Sequence, residues 1–120
     1  MSEAYDLFRE GQKRLRKGMT AQATVPLERA RRLEPEKASI REALGIAYFR
    51  LARWEDAERE FRAIVEELSP TDHYAHYALG RALEQLGRTA EANGHYKLAS
   101  SMAPSSETYA ARILELDDDE

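Results

Sequence analysis

Residues 38–68, ASIREALGIAYFRLARWEDAEREFRAIVEEL, decide the fold of this chain. Apolar and small side chains recur at helical spacing in each half of the stretch. In the first half they are Leu44, Gly45, Tyr48 and Leu51, and in the second half Ala57, Phe61, Ile64, Val65 and Leu68. The residues between the halves, Ala52-Arg53-Trp54, leave room only for a tight turn. The stretch therefore predicts two short helices that pack back to back.

Small residues in this stretch indicate where the two helices approach each other closely. Gly45 lies on the inner face of the first helix and Ala57 on the inner face of the second. Phe61 is the large side chain predicted to fill the space between the helices.

The same arrangement occurs three times along the chain. Gly11, Gly45 and Gly80 lie 34 and then 35 residues apart. The same two spacings relate Ala23, Ala57 and Ala92; Leu27, Phe61 and Tyr96; and Ala30, Ile64 and Ala99. Each unit has a turn residue in its middle (Gly18, Ala52, Gly87) and a proline at its end (Pro35, Pro70, Pro104). A fixed period of this length is typical of helical repeat proteins.

The repeats resemble the tetratricopeptide repeat, whose pattern is W-x2-L-G-x2-Y, then A-x3-F, then P over 34 residues. The second unit matches it with Leu44-Gly45, Tyr48, Ala57, Phe61 and Pro70, and the third with Leu79-Gly80, Ala92, Tyr96 and Pro104. The first unit supplies Gly11, Ala23, Leu27 and Pro35. The resemblance implies an all-α solenoid of three helix–turn–helix units in a right-handed superhelix, closed by a C-terminal capping helix.

The first unit departs most from the family pattern. Glu10 and Arg14 stand where leucine and an aromatic residue are usual, which suits an end unit with no neighbour on its outer side. Pro26 lies inside the second predicted helix, where it removes a backbone donor, so we expect a kink or a late start near Thr24–Pro26. In the slot that gives the family its tryptophan, the three units have Leu7, Arg41 and His76.

The predicted helices cover 3–17, 20–33, 37–51, 54–68, 72–86, 89–102 and 106–116. We expect one domain over residues 1–116, with repeats at about 4–37, 38–72 and 73–106, a capping helix at about 106–116 and an acidic tail over 117–120. Hydroxyl side chains can accept the free amides of a first helical turn. The predicted N-caps are Thr20, Thr71, Thr89 and Ser105 or Ser106.

Composition narrows the class of protein. A chain of 120 residues with a net charge of −4 fits one domain, and with no cysteine it forms no disulfide or thiolate site. No apolar run approaches the roughly 18 residues of a membrane span. We expect a cytoplasmic protein that binds neither membrane nor nucleic acid. The basic cluster at residues 13–17 is offset by nearby carboxylates.

The sequence gives little basis for catalysis. His73 and His76 can share one helix face, as can Glu91 and His95, but neither pair forms the H-E-x-x-H metal motif. The glycines occupy repeat positions and do not form a phosphate-binding loop. We therefore predict no enzyme activity, no metal and no cofactor.

The first helix of each unit has a second face beside its core face. Twelve residues on it form the predicted ligand-binding surface: Tyr5, Phe8, Gln12, Arg16, Glu42, Ile46, Phe49, Arg50, Tyr74, Tyr77, Arg81 and Glu84. In the tetratricopeptide family this face lines a concave groove. The resemblance therefore implies a scaffold that binds a peptide or helix of a protein partner. The alternative is a protein that self-associates weakly through the same aromatic face.

One subclass of the family uses charged and amide side chains to clamp the C-terminal carboxylate of a chaperone. The matching positions here are Phe8, Gln12, Ala43, Tyr74 and Ala78. Only Gln12 partly matches the required chemistry, so we do not expect a clamp of this kind. Arg16, Arg50 and Arg81 remain able to bind an acidic group in another geometry.

Overall fold

The computed structural model describes the backbone of residues 2–118 and the side chains of residues 2–113. Its helices are α1 (Glu3–Arg16), α2 (Thr20–Leu33), α3 (Ala38–Arg50), α4 (Trp54–Ala63), α5 (His73–Gln85), α6 (Thr89–Met102) and α7 (Glu107–Asp118). A π-helical turn, Ile64–Leu68, extends α4. Within the described range there is no strand. Asp119 and Glu120, the end of the predicted acidic tail, lie outside the described residues.

The helices form three stacked pairs, α1–α2, α3–α4 and α5–α6, and α7 packs against α6. The second helix of each pair contacts the first helix of the next, which gives an elongated body of 46 × 25 × 22 Å. The predicted all-α solenoid with a C-terminal capping helix is confirmed. Helix α7 extends to Asp118, slightly beyond the predicted end at 116.

Each helix pair is held together where a glycine faces a large side chain. A β-carbon on Gly45 would lie 2.6 Å from Cζ of Phe61, and one on Gly80 would lie 2.6 Å from Cε1 of Tyr96. The first unit repeats the contact with Gly11 and Leu27. Phe61 and Tyr96 are almost completely buried. The absence of a β-carbon therefore sets how closely the two helices of a pair approach.

Pro26 does not delay α2, which begins at Thr20, so the expected late start is wrong. The missing amide of Pro26 leaves the carbonyl oxygen of Gln22 without its usual helical donor. Arg14 on α1 supplies that donor, with 2.9 Å between its guanidinium nitrogen and the Gln22 oxygen. The polar residue at this family position thus stabilises the proline-containing helix.

The residues at which the helices begin show that three of the predicted N-caps are wrong and that one is right. Ser106 caps α7, as expected, by accepting the amide of Tyr109 at 3.3 Å. The prediction of Thr71 is wrong, because the carboxylate of Asp72 accepts the amide of Ala75 at 3.0 Å. Thr20 and Thr89 are also wrong. They are the first helical residues, since the tight turns place Met19 and Arg88 at the cap positions.

Partly buried ion pairs join neighbouring units. Glu60 on α4 is almost completely buried and accepts hydrogen bonds from Arg31 on α2 and Arg41 on α3. Arg62 on α4 donates to Glu91 on α6 at 2.7 Å. These contacts fix the angle between successive pairs and therefore the shape of the face formed by α3 and α5.

We predict that Gly45→Ala destabilises the protein by about 1–2 kcal/mol. Overpacking against Phe61 costs about 1–3 kcal/mol, which exceeds the helix-propensity gain of up to about 1 kcal/mol. The control is Gly94→Ala on α6, where no atom lies within 4 Å of the new β-carbon. That variant should gain about 0.5–1 kcal/mol. Urea unfolding measures both, and a Gly45→Ala protein as stable as the control would contradict the close-approach account.

Ala52→Gly should stabilise the protein by about 1 kcal/mol. Gly18 and Gly87 turn the chain in the first and third units with φ of 77° and 78°, whereas Ala52 takes the same position with φ of 59°. A β-carbon in this left-handed region costs roughly 1–2 kcal/mol, part of which is offset by the greater unfolded freedom of glycine. Thermal unfolding of the variant tests this, and an unchanged or lower Tm would show that the turn is not strained.

Candidate functional site

The concave face between α3 and α5 contains a cavity of about 200 Å³. We call it the central cavity. Its lining residues are Ile46, Phe49 and Arg50 on α3, Phe61 on α4, and Tyr74, Tyr77, Ala78 and Arg81 on α5. Successive first helices contact each other less than the two helices within a pair, and this leaves the cavity open to solvent.

Aromatic rings form the walls of the central cavity and are held by neighbours behind them. Phe49 packs edge to face against Trp54, with 4.9 Å between ring centres. The centre of the Tyr77 ring lies 5.8 Å from that of Tyr96 and 5.0 Å from that of Tyr109 on the capping helix. Both wall residues are half-buried. The walls are therefore preorganised, which reduces the entropy lost when a ligand binds.

Two arginines border the central cavity without a carboxylate partner among the described side chains. The Arg81 guanidinium lies 5.3 Å from the centre of the Phe49 ring and donates to the Tyr77 hydroxyl at 3.2 Å. Arg50 is exposed and lies at the C-terminal end of α3. Most of their hydrogen-bond donors are therefore available to a ligand.

The opposite end of this face is acidic. Burial and the nearby carboxylate of Asp72 raise the pKa of Glu42 above its usual value. Burial, followed by the charge of Glu42, also raises the pKa of the Tyr74 hydroxyl. Tyr74 is thus a neutral hydrogen-bond donor beside the central cavity.

The structure brings six of the twelve predicted ligand-binding residues to the central cavity: Ile46, Phe49, Arg50, Tyr74, Tyr77 and Arg81. Tyr5 and Phe8 line a separate cavity of about 250 Å³ near the start of α3. The remaining four residues, Gln12, Arg16, Glu42 and Glu84, do not line the central cavity. Glu84 instead accepts the Tyr96 hydroxyl at 2.5 Å and lies 3.7 Å from Arg112.

Two lining residues were not among the twelve. Phe61 was assigned to the core, yet its ring also reaches the central cavity. Ala78 lies four positions after Tyr74 on α5, and this helical spacing was a signal that it shares the same face.

The histidines serve contacts within the fold. His76 and His95 face each other across α5 and α6, with 3.0 Å between their Nδ1 atoms and 5.3 Å between ring centres. The two nitrogens therefore point almost directly at each other, as in a hydrogen bond. Nε2 of His76 lies 2.8 Å from the Pro70 carbonyl oxygen and must donate to it, so His95 donates to Nδ1 of His76. The sequence pattern had paired His73 with His76 and Glu91 with His95.

Among the described residues, no group of three or more metal-ligating side chains converges on one point. His73 instead hydrogen-bonds to the Tyr109 hydroxyl at 2.9 Å. None of the described helices is both long enough and apolar enough to cross a membrane.

Comparison with protein families places the chain among helical repeat proteins. The family described as "Tetratricopeptide repeat" matches residues 8–73 and 42–107 in two overlapping stretches. The chain belongs to the tetratricopeptide repeat family. The resemblance seen in the sequence is therefore confirmed.

The chain is similar to the mouse Superkiller complex protein 3, with 31% identity over 95 residues. The match covers 79% of this chain and only 6% of that protein. The chain thus corresponds to a small part of this relative.

Solved structures show the same fold. The first tetratricopeptide domain of Spaghetti (RPAP3), bound to the HSP90 peptide SRMEEVD, is 21% identical, with a TM-score of 0.91 over 97% of this chain and 91% of that one. The crystal structure of MamA is 20% identical, with a TM-score of 0.92 over 96% of this chain and 67% of that one. At these identities the likeness concerns the fold alone.

The histidine pair predicts a pH-dependent stability. Burial, followed by the charges of His76 and Arg62, lowers the pKa of His95 in the folded state. The unfolded chain, with an ordinary histidine pKa of about 6.5, then binds more protons below that pH, so the free energy of unfolding falls as the pH falls. Urea unfolding between about pH 7.5 and pH 5.5 should show a steeper fall for the wild type than for His95→Gln. Equal slopes would contradict this assignment.

Proposed function

We propose that this chain is a non-catalytic scaffold that binds a peptide segment or helix of a protein partner at the central cavity. One observation carries the proposal: half-buried aromatic rings and two arginines, which have no carboxylate partner among side chains 2–113, surround the same concave opening. Aromatic residues and arginine dominate the binding energy of many protein interfaces. Their partial exposure together on one concave face favours a protein ligand.

The related structure of Spaghetti (RPAP3) bound to an HSP90 peptide supports peptide binding by this fold. The ligand of the present chain should differ from one held by a carboxylate clamp. At positions that match the clamp, the chain has Phe8, Ala43 and Tyr74, and Ala78 forms part of the lining of the central cavity. These side chains cannot provide the ionic contacts of the clamp.

Self-association through the same face is the competing proposal. Light scattering at increasing protein concentration separates the two. A constant monomer mass leaves the central cavity free for a foreign peptide, whereas a mass that rises with concentration and falls in a Phe49→Ala variant supports self-association.

We predict that Phe49→Ala weakens peptide binding by at least about 2 kcal/mol, which is roughly thirtyfold in Kd. Its ring forms a wall of the central cavity. The probe is a peptide selected on the immobilised protein from a random nonapeptide phage library, then synthesised with a fluorophore. Fluorescence anisotropy measures the Kd of each variant at a temperature well below its Tm.

Trp54→Ala is the matched control. Trp54 packs edge to face against Phe49 but does not line the central cavity, so this variant also loses aromatic packing. We expect it to lower stability and to weaken binding by no more than about threefold, because Phe49 loses support but keeps the ring that contacts the ligand. If both variants lose affinity equally, the loss comes from destabilisation. If neither does, the selected peptides bind another surface, and the groove proposal is wrong.

A further inference from the structure

We propose that the central cavity selects a peptide segment in which one large apolar side chain lies close to an acidic side chain. The inference rests on the proposed function and specifies its ligand. The apolar group would fill the cavity, and the carboxylate would bind Arg81 and Arg50. The acidic group is an internal side chain of the peptide and need not be its C-terminus.

The size and walls of the central cavity define the apolar part of this ligand. Its volume of about 200 Å³ is below the roughly 300–1,000 Å³ of most small-molecule pockets. It therefore suits a single large side chain. Ile46 and Phe49, which are only partly buried, provide an apolar surface at which leucine, methionine or phenylalanine of a peptide would lose its contact with water.

Arg81 defines the acidic part of the peptide ligand. Three other half-buried arginines are already paired: Arg31 and Arg41 share Glu60, and Arg62 contacts Glu58, Glu66 and Glu91. Arg81 is also half-buried, but among the described side chains it contacts the Phe49 and Tyr77 rings and the Tyr77 hydroxyl and has no carboxylate partner. A ligand carboxylate would supply the missing negative charge through charge-assisted hydrogen bonds, which are about twice as strong as neutral ones.

The charge distribution along this face sets the orientation of the ligand. Arg50 and Arg81 lie towards the C-terminal ends of α3 and α5, whereas Glu42 lies near the start of α3 and is close enough to Asp72 to feel its charge. A ligand carboxylate is attracted to the end that has Arg50 and Arg81 and repelled by the end that has Glu42. The acidic side chain of the peptide should therefore lie towards the ends of α3 and α5.

The absence of clamp chemistry determines which carboxylate is used. The clamp of the family's chaperone-binding subclass holds a terminal carboxylate with charged or amide side chains. The matching positions here contain Phe8, Gln12, Ala43, Tyr74 and Ala78, of which only Gln12 partly matches. A carboxylate on an aspartate or glutamate side chain reaches Arg81 without such a clamp. Blocking the C-terminus of the peptide as an amide should therefore leave its affinity unchanged.

The test starts from the peptides selected from the random library, without any choice of sequence. We expect enrichment of sequences that place aspartate or glutamate within about three residues of a large apolar residue. An enriched peptide is then made with both ends blocked, together with two changed forms. One replaces its acids by the corresponding amides, and the other replaces the apolar residue by serine. Each change should weaken binding about tenfold or more at low salt.

Protein variants identify the group that binds the acid. Arg81→Gln should weaken binding of the acidic peptide about tenfold. The affinity of the acidic peptide should then be similar to that of the peptide whose acids are replaced by amides. Arg50→Gln, at an exposed position with little role in folding, should give a smaller loss in the same direction. Glu42→Gln should leave the affinity equal or higher. The control is Arg32→Gln on α2, an exposed arginine that does not line the central cavity and should leave Kd unchanged.

Three results would overturn the inference. Enrichment of neutral or basic peptides whose binding needs Phe49 would agree with the proposed function. It would contradict the inference that the ligand carries an acidic side chain. An acidic peptide whose Kd is unchanged by both Arg81→Gln and Arg50→Gln would show that the acid binds elsewhere. Failure to enrich any peptide that depends on Phe49 would contradict both the inference and the proposed function.

Discussion

The contact between a glycine and a large side chain at each helix crossing is the constraint on which the rest of the structure depends. Where Phe61 meets Gly45, and Tyr96 meets Gly80, a β-carbon would lie inside contact distance. Close packing of this kind resists even small increases in volume. Because the contact recurs in each unit, it gives three similar helix pairs, and the links between pairs can then repeat.

The same large side chains also support the candidate site. Phe61 fills the crossing at Gly45 and lines the central cavity with another part of its ring. Tyr96 fills the crossing at Gly80 and packs against Tyr77, a wall of the cavity. The packing that stabilises each unit therefore also positions the surface proposed to bind a ligand. A change in the core of this domain should alter binding as well as stability.

The repeat period predicted the helices and their pairing, because a recurring pattern of small and large residues reports directly on packing within a unit. It predicted only part of the lining of the central cavity. Helical spacing shows which side chains share a face, but it does not show which faces of two units meet. Tyr5 and Phe8 therefore share the predicted face yet line another cavity. The carboxylate of Glu84 accepts a hydrogen bond from the Tyr96 hydroxyl. The contacts of Arg14 with Gln22 and of His76 with His95 depend on packing between helices, which the spacing within one helix does not reveal.

The central claim is that ligands bind the concave face at α3 and α5. Mapping of amide chemical shifts by NMR, during titration with a library-selected peptide, tests it most directly. The account predicts that the largest changes fall on residues around the central cavity, including Ile46, Phe49, Tyr77 and Arg81. Shift changes confined to the exposed surfaces of α2, α4 and α6, with the central cavity unaffected, would contradict it.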